Sequence, residues 1–271
     1  AVAWFHHGLV ITQVALSLVL MITSGLLVRS YLFLQEVDLG FRADHVLTAE
    51  LQLPETRYET DTKMTQAWTD LRESIGALPG VVSVGAIDQL PINMGGTYNS
   101  PYAANRPPVT DADKMTARRR FASDGYFQVL DISIASGRAF LPSDLPEGPR
   151  VVIINETMAR QFFPDEDPLG EILVLPWGTG VRMEVVGIAS DIREKGLAES
   201  VPPVFYMPSG QWAGQRMQFL IRTAGDPLAL AGPLRSAVWE LDRDIPISAL
   251  ATMESRLSRS LAEPRFRVLL I

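Results

Sequence analysis

The sequence predicts an α+β protein in which an N-terminal transmembrane helix precedes a ferredoxin-like domain of split βαβ topology with an inserted, mainly-β subdomain. Three observations lead to this fold class. An uncharged apolar run lies at 8–28, two strand–helix–strand units lie at 46–91 and 216–251, and short strands alternate with turns between the units. The apolar fraction of 47% over 271 residues is enough to build an ordered core.

The first element is the run GLVITQVALSLVLMITSGLLV (8–28), which contains no charged residue. As a helix it spans about 30 Å, the thickness of the hydrocarbon core of a bilayer. Trp4 and Tyr31 flank the run as interfacial anchors do. A buried core helix and a cleaved signal peptide are the alternatives. The run is long for the first, and it lacks a preceding basic residue and a following small-x-small site for the second.

The first strand–helix–strand unit begins with the strand VLTAELQLP (46–54) and ends with the strand VVSVGAIDQLP (81–91). Between them, 61–80 predicts a helix that stops at Pro79-Gly80. Its apolar residues recur at alternate steps of four and three, and therefore share one face: Met64, Trp68, Leu71, Ile75 and Leu78.

The second unit consists of the strand RMQFLIRT (216–223), a helix over 226–243 and the strand IPISALA (245–251). Asp226 is the expected N-cap of the helix, with Pro227 at its first position. Because proline is incompatible with a helix interior, Pro233 predicts a late start or a kink.

Two such units predict that the strands 46–53 and 216–223 are central, antiparallel neighbours in one sheet. The two helices then cover one face of that sheet. We expect them to bury Trp68, Leu71, Leu234 and either Trp239 or its neighbour Val238. The β insertion should leave and return at one edge, as a separate lobe.

The insertion contains the short strands RVVIIN, EILVLPW and RMEVVGIASDI and a short helix, ETMARQFF, which Asn155 caps and Pro164 ends. After the second unit, TMESRLSRSLAEP (252–264) predicts an amphipathic helix that rests near the membrane surface, with Met253, Leu257 and Leu261 on one face. The final EPRFRVLLI (263–271) then resembles the first turns of a second membrane helix, as expected for a piece of a larger membrane protein.

No constellation for catalysis, cofactor binding or metal binding is predicted. The sequence has no GxxxxGK[ST] loop, no GxSxG and no cysteine, and its three histidines are His6, His7 and His45. PDEDPLG (164–170) lacks the spaced ligands of a calcium loop and predicts an acidic turn. We expect the triplet Arg118-Arg119-Arg120 to lie on a strand with alternate faces solvated. A net charge of −7 gives no support to nucleic-acid binding.

The order of phrases along the chain resembles the MacB/FtsX-like permeases of ABC transporters, in particular the large duplicated permeases. The N-terminal helix with its exit segment is followed, in the family's order, by VLTAELQLPETRY, LPGVVSVGAIDQLP, VIINETMARQFFPDEDPLGEIL, VVGIASDIREKGLAESVPPVFYMP and ATMESRLSRSLAEPRFRVLLI. No single phrase is diagnostic, but the five in this order are specific together. The resemblance covers nearly the whole chain.

The resemblance implies that 40–255 is an extracytoplasmic core domain with a porter-like part, held in the bacterial inner membrane. It implies as partners an ABC ATPase subunit, a second permease half or homodimer partner, a periplasmic adaptor and the lipid bilayer. The expected function is to couple ATP hydrolysis by the separate subunit to export or periplasmic mechanical work, without enzyme activity or cofactor of its own. A ligand-sensing domain between two membrane helices of a signalling receptor is the alternative.

The predicted organisation has five parts. They are the transmembrane helix with its exit segment (1–39), the first half of the porter-like subdomain (40–119), the inserted mainly-β subdomain (120–212), the second half of the porter-like subdomain (213–252), and an amphipathic linker that begins a second membrane helix (253–271).

Overall fold

A computed structural model describes residues 13–25, 39–92, 95–164, 166–193, 200–212 and 214–268, with the backbone alone over 261–268. The chain divides into two units, Ala1–Asp38 and Leu39–Ile271. In the first unit, 13–25 forms a helix (α1) whose residues are all exposed. Within the described residues, no helix combines the length and apolar character needed to cross a membrane. The predicted span 8–28 extends beyond the described helix at both ends and stays a prediction.

The second unit is built from twelve strands and five helices among the described residues. The strands are β1 (Val46–Gln52), β2 (Val81–Ile87), β3 (Thr97–Asn99), β4 (Tyr102–Ala103), β5 (Ala117–Ala122), β6 (Ile134–Gly137), β7 (Val151–Asn155), β8 (Ile172–Leu175), β9 (Val181–Ala189), β10 (Val204–Pro208), β11 (Arg216–Thr223) and β12 (Ile247–Thr252). The helices are α2 (Asp61–Gly76), α3 (Tyr126–Val129), α4 (Glu156–Phe162), α5 (Ala231–Leu241) and α6 (Met253–Val268), with 3₁₀ turns at Asp111–Asp113 and Pro227–Leu230.

Four strands in the order β12-β1-β11-β2 form one half of the sheet, which we call the four-strand half. β1 and β11 are antiparallel neighbours from Val46↔Arg222 to Gln52↔Arg216, which confirms the predicted pairing. α2 and α5 pack on one face of this half. That face buries Trp68, Leu71, Leu234 and Val238, whereas Trp239 is exposed. The helix α5 starts late, at Ala231, so Pro233 lies in its first turn, where proline is tolerated.

The insertion begins earlier than the predicted residue 120, because strands β3 to β10 belong to it. It continues the same sheet from the β2 edge in the order β5-β10-β7-β9-β8-β4. β10 pairs parallel with β5, and β7 pairs parallel with β9. Asn155 caps α4 by accepting a hydrogen bond from the Met158 amide, as predicted. The α4 side chains Met158 and Phe162 cover one face of the insertion.

The insertion is not a separate lobe, contrary to the prediction. The sheet is continuous from the four-strand half into the insertion, because Ile87 of β2 pairs with Ala122 of β5. A single apolar core also contains residues of both parts, among them Leu220 of β11 and Ile153 of β7. The two parts are therefore one packed body.

The amphipathic helix α6 also differs from its prediction. Met253 is fully buried in the shared core and Leu257 packs against that core. The Ser260 hydroxyl donates a hydrogen bond to the Ile92 carbonyl at 3.1 Å. The apolar face over 253–260 therefore packs against the domain itself, and the predicted position near a membrane surface stays a prediction. The side chain of Leu261 lies outside the described residues.

The helix α3 approaches β2 so closely that two glycines meet. A methyl group on Gly125 would collide with the Val84 carbonyl oxygen, and one on Gly85 would lie 2.7 Å from the Tyr126 Cα atom. We predict that Gly125→Ala lowers the free energy of unfolding by about 1–3 kcal/mol, the usual cost of overpacking. Urea denaturation measures this change.

The matched control is Gly232→Ala, because Gly232 lies on α5 with open space around its Cα. That substitution should raise the free energy of unfolding by up to about 1 kcal/mol through helix propensity. Equal stability of the Gly125→Ala protein and the unsubstituted protein would contradict the close approach.

Candidate functional site

The two ends of the domain meet at one place in the sheet. Leu47, at the start of β1, is paired with Thr252, at the end of β12. The flanking residues Phe41 and Met253 are buried in the same core. The chain therefore enters and leaves the domain on two hydrogen-bonded strands.

Arg222 of β11 fixes the entering segment, residues 39–45, to the sheet. Its Nη1 and Nη2 atoms donate hydrogen bonds to the carbonyls of Asp44 at 2.9 Å and Arg42 at 3.1 Å. Its Nε atom donates to the Val129 carbonyl of α3 at 2.8 Å. The side chain is only 14% exposed. One planar fork therefore joins the entering segment, α3 and the central sheet.

A second, more exposed group of charges surrounds this fork. Arg42 bonds to the Asp44 carboxylate at 2.8 Å and lies 3.5 Å from that of Asp131. The hydrogen bond from Arg42 holds the pKa of Asp44 below its ordinary value, against a smaller opposing effect of burial. Because Arg42 is 60% exposed, these pairs contribute little stability and chiefly orient the segment.

The carboxylate of Asp191 forms a junction beside the entering segment. It accepts hydrogen bonds from the Asn155 amide at 2.7 Å, the Thr157 hydroxyl at 2.7 Å and Arg160 at 2.8 Å. The amide of the nearby Arg193 donates to the Leu39 carbonyl at 2.9 Å. The end of β7, the start of α4 and the segment after β9 are thus tied to the place where the chain enters.

Both polar atoms of the Asn155 side chain are hydrogen-bonded within the domain. The residue is 1% exposed, and its Oδ1 atom accepts from the amides of both Met158 and Val204 at 2.9 Å. The sequence Asn155-Glu156-Thr157 matches a glycosylation pattern, but a buried amide with both polar atoms engaged has no room for a glycan.

The four-strand half and the insertion are joined where β2 meets β5. Ser123 bonds through both its amide and its hydroxyl to the Ala86 backbone, and the Asp88 carboxylate accepts from the Phe121 amide at 3.1 Å. Burial raises the pKa of Asp88, although hydrogen bonds and the positive charge of Arg120 oppose this effect. A cleft of about 340 Å³ lies beside the joint, bridged by an ion pair between Arg72 and Asp124.

The arginine triplet lies on β5, as predicted, but the expectation of solvated alternate faces is wrong. Arg118 is 5% exposed and Arg120 is 1% exposed. Arg118 donates to the Tyr98 hydroxyl at 2.6 Å, and Arg120 donates to the Gln89 side chain and the Gly95 carbonyl. The reason is that β3 and β10 both pair with β5, which makes it an interior strand.

Among the described residues, no group of three or more His, Asp or Glu could hold a metal ion. His45 lies at a turn with φ of 55°, and its Nδ1 atom is 3.2 Å from the Gly225 carbonyl. His6 and His7 lie outside the described residues. In the predicted acidic turn, Asp167 accepts from the Leu169 amide at 3.0 Å.

Sequence reasoning did not single out Arg222 or Asp191. A signal existed for Arg222, because one charge interrupts the apolar strand FLIRT. A charge in an apolar strand indicates a buried polar partner only if both faces of the sheet are covered, and the sequence alone does not show that they are. Asp191 carries no comparable signal, since its partners are distant in the sequence.

A family model described as the MacB-like periplasmic core domain matches residues 8–233. The chain belongs to this family. The resemblance to MacB/FtsX-like permeases is thereby confirmed.

Relatives and a solved structure agree with this assignment. The uncharacterized ABC transporter permease YknZ of Bacillus subtilis is 37% identical over 70 residues, which are 26% of this chain and 17% of that protein. The macrolide export ATP-binding/permease protein MacB of Neisseria gonorrhoeae is 28% identical over 81 residues, 27% of this chain and 13% of that protein. The matches thus span under a fifth of each relative. The crystal structure of the periplasmic region of MacB from Actinobacillus actinomycetemcomitans shares the fold, with a TM-score of 0.52, 15% identity, and coverage of 80% of this chain and 92% of that one.

We predict that Arg222→Gln lowers the free energy of unfolding of this MacB-like domain by about 2–4 kcal/mol, because three carbonyls lose a charged donor. Arg222→Lys should recover little, since an ammonium group cannot reproduce the fork. The control is Arg216→Gln at the other end of β11, which is 59% exposed and should cost under about 1 kcal/mol. Urea titrations that show the same loss at both positions would rule out a special role for Arg222.

Asp88→Asn tests the buried carboxylate at the joint, because asparagine keeps the acceptor for the Phe121 amide. A carboxyl group whose pKa is raised by folding opposes folding above that pKa, and the penalty disappears as the pH falls below its unfolded value. The variant should therefore be more stable than the unsubstituted protein at pH 7, with the difference lost at acid pH. Lower stability of the variant at pH 7 would mean that attraction to Arg120 outweighs burial.

Proposed function

We propose that this chain is the extracytoplasmic core of an ABC transporter permease that couples ATP hydrolysis by a separate nucleotide-binding subunit to export or to mechanical work. The observation that carries the proposal is the pairing of Leu47 with Thr252. Segments that enter and leave on neighbouring strands can tilt the domain as one body.

The packing supports movement as one body. The continuous sheet and the shared core join the insertion to the four-strand half, so a displacement of β1 or β12 reaches both. α6 is attached to the sheet through Met253 and through a hydrogen bond from Arg256 to the Ala249 carbonyl. Packed interiors resist compression and therefore transmit such displacements.

Several finer features belong to the same proposal. The order β12-β1-β11-β2, with two helices on one face, supports a ferredoxin-like, porter-like module. The uncharged run at 8–28 supports a retained transmembrane helix in the bacterial inner membrane, with the domain outside the cytoplasm. The partners in this proposal are the ATPase subunit, a second permease half or identical copy, a periplasmic adaptor and the bilayer. The chain itself carries no phosphate-binding loop, in keeping with a role without enzyme activity.

Movement of the domain can be measured in the complete permease reconstituted with its ATPase. This chain has no cysteine, so once other cysteines of the complete permease and its ATPase are replaced, a single Val109→Cys substitution allows labelling at a site that is 91% exposed. Energy transfer from this label to a bilayer dye should change between the ATP-bound and nucleotide-free states. The change should be lost when two glycines are inserted between Thr252 and Met253, while ATP hydrolysis continues.

The matched control places the same two glycines between Pro146 and Glu147, in an exposed turn of the insertion. This variant should keep the nucleotide-dependent change. A signal that never depends on nucleotide, or that survives the insertion before α6, would reject the coupling role.

A further inference from the structure

An uninterrupted series of arginine and aromatic side chains covers part of the insertion. The Arg119 guanidinium carbon lies 4.4 Å from the Phe121 ring centroid and 5.2 Å from that of Trp177. The rings of Trp177 and Trp212 meet edge to face at 5.8 Å, and Arg150 lies 4.3 Å from the Trp212 ring. We call these five residues the arginine–aromatic patch.

The rings of the patch hold the two guanidinium groups by their faces. A stacked guanidinium keeps its N–H edges free, since stacking uses the plane and hydrogen bonding uses the rim. Each of the three rings is already in contact with an arginine. The patch therefore offers N–H edges to a ligand more readily than open ring faces.

Hydrogen-bond donors in the patch lack acceptors. The Arg119 Nε and Trp212 Nε1 atoms are buried without a hydrogen-bond partner. Across the described part of the chain, neither Arg119 nor Arg150 forms an ion pair within 4.0 Å. Asp88 acts on Arg119 only through its longer-range field. Within the described residues, the patch thus carries two guanidinium groups without ion pairs in a protein whose net charge is −7.

We propose that the arginine–aromatic patch binds an acidic, extended segment of a partner protein. Carboxylates of the segment pair with the terminal N–H groups of Arg119 and Arg150, since the Arg119 Nε atom itself is buried. Apolar groups between those carboxylates contact the edges of Trp177 and Trp212, which are half-buried, and do not need open ring faces. A saccharide is the less favoured ligand, because it needs open ring faces. The binding does not depend on the coupling role.

Two alternating peptides, glutamate–alanine and glutamine–alanine, test this proposal with the full chain in neutral detergent at low salt. The acidic peptide should bind saturably, with a change in tryptophan fluorescence, and the neutral peptide should not. Arg119→Gln combined with Arg150→Gln should weaken binding by at least about tenfold. Arg150→Gln alone should weaken binding of the acidic peptide severalfold. Because Arg150 is exposed, this single variant tests the proposal even if the double variant fails to fold.

The matched control is Arg235→Gln, because Arg235 is exposed and also stacks on a tryptophan, Trp239, at 5.7 Å. It should leave the affinity unchanged. Absence of saturable binding, an equal loss in the Arg235 variant, or binding of a glucuronate oligosaccharide in preference to the acidic peptide would each overturn the proposal.

Discussion

Arg222 donates hydrogen bonds to carbonyl groups on two segments that the sheet alone does not hold, the entering segment and the end of α3. A guanidinium suits this position because its donors are fixed in one plane and it stays charged at any physiological pH. Because the side chain is nearly buried, water could not replace it as the hydrogen-bond donor to these carbonyls if it were removed. One side chain of the central strand therefore helps to fix the path of the chain into the domain, together with backbone hydrogen bonds such as that from Arg193 to Leu39.

Packing of the rest of the domain connects the entering segment to both parts of the sheet. β1 and β11 are the central strands of the four-strand half, with apolar residues facing α2 and α5 on one side and the shared core on the other. The shared core continues into the insertion, and the Asp191 junction ties the insertion back to the entering segment. The four-strand half and the insertion therefore share one sheet and one core among the described residues.

Buried charge is concentrated on β5, beside the joint. Burial lowers the pKa of Arg120 and raises that of Tyr206 to about 12, while it also raises the pKa of Asp88. Such burial is costly unless the groups are hydrogen-bonded, and here Arg118 bonds to Tyr98 of β3 while Arg120 bonds to the Gly95 carbonyl in the preceding loop. The third arginine of the triplet, Arg119, faces the opposite side and joins the arginine–aromatic patch.

The sequence alone determined the elements whose signal is local. The apolar face of α2 and the cap of α4 at Asn155 follow from periodicity and capping, and Pro233 restricted α5 to a late start or a kink. The pairing of β1 with β11 followed from the handedness of crossovers and not from a local signal. Only the tertiary structure decided what depends on distant neighbours. Arg118 and Arg120 are buried because β3 and β10 flank β5. The helix α6 packs its apolar residue Leu257 against the shared core because the fold brings that core next to the helix. Amphipathic periodicity predicts which face of a helix is apolar and needs to be covered. Which residues cover that face depends on contacts between parts of the chain that are far apart in the sequence.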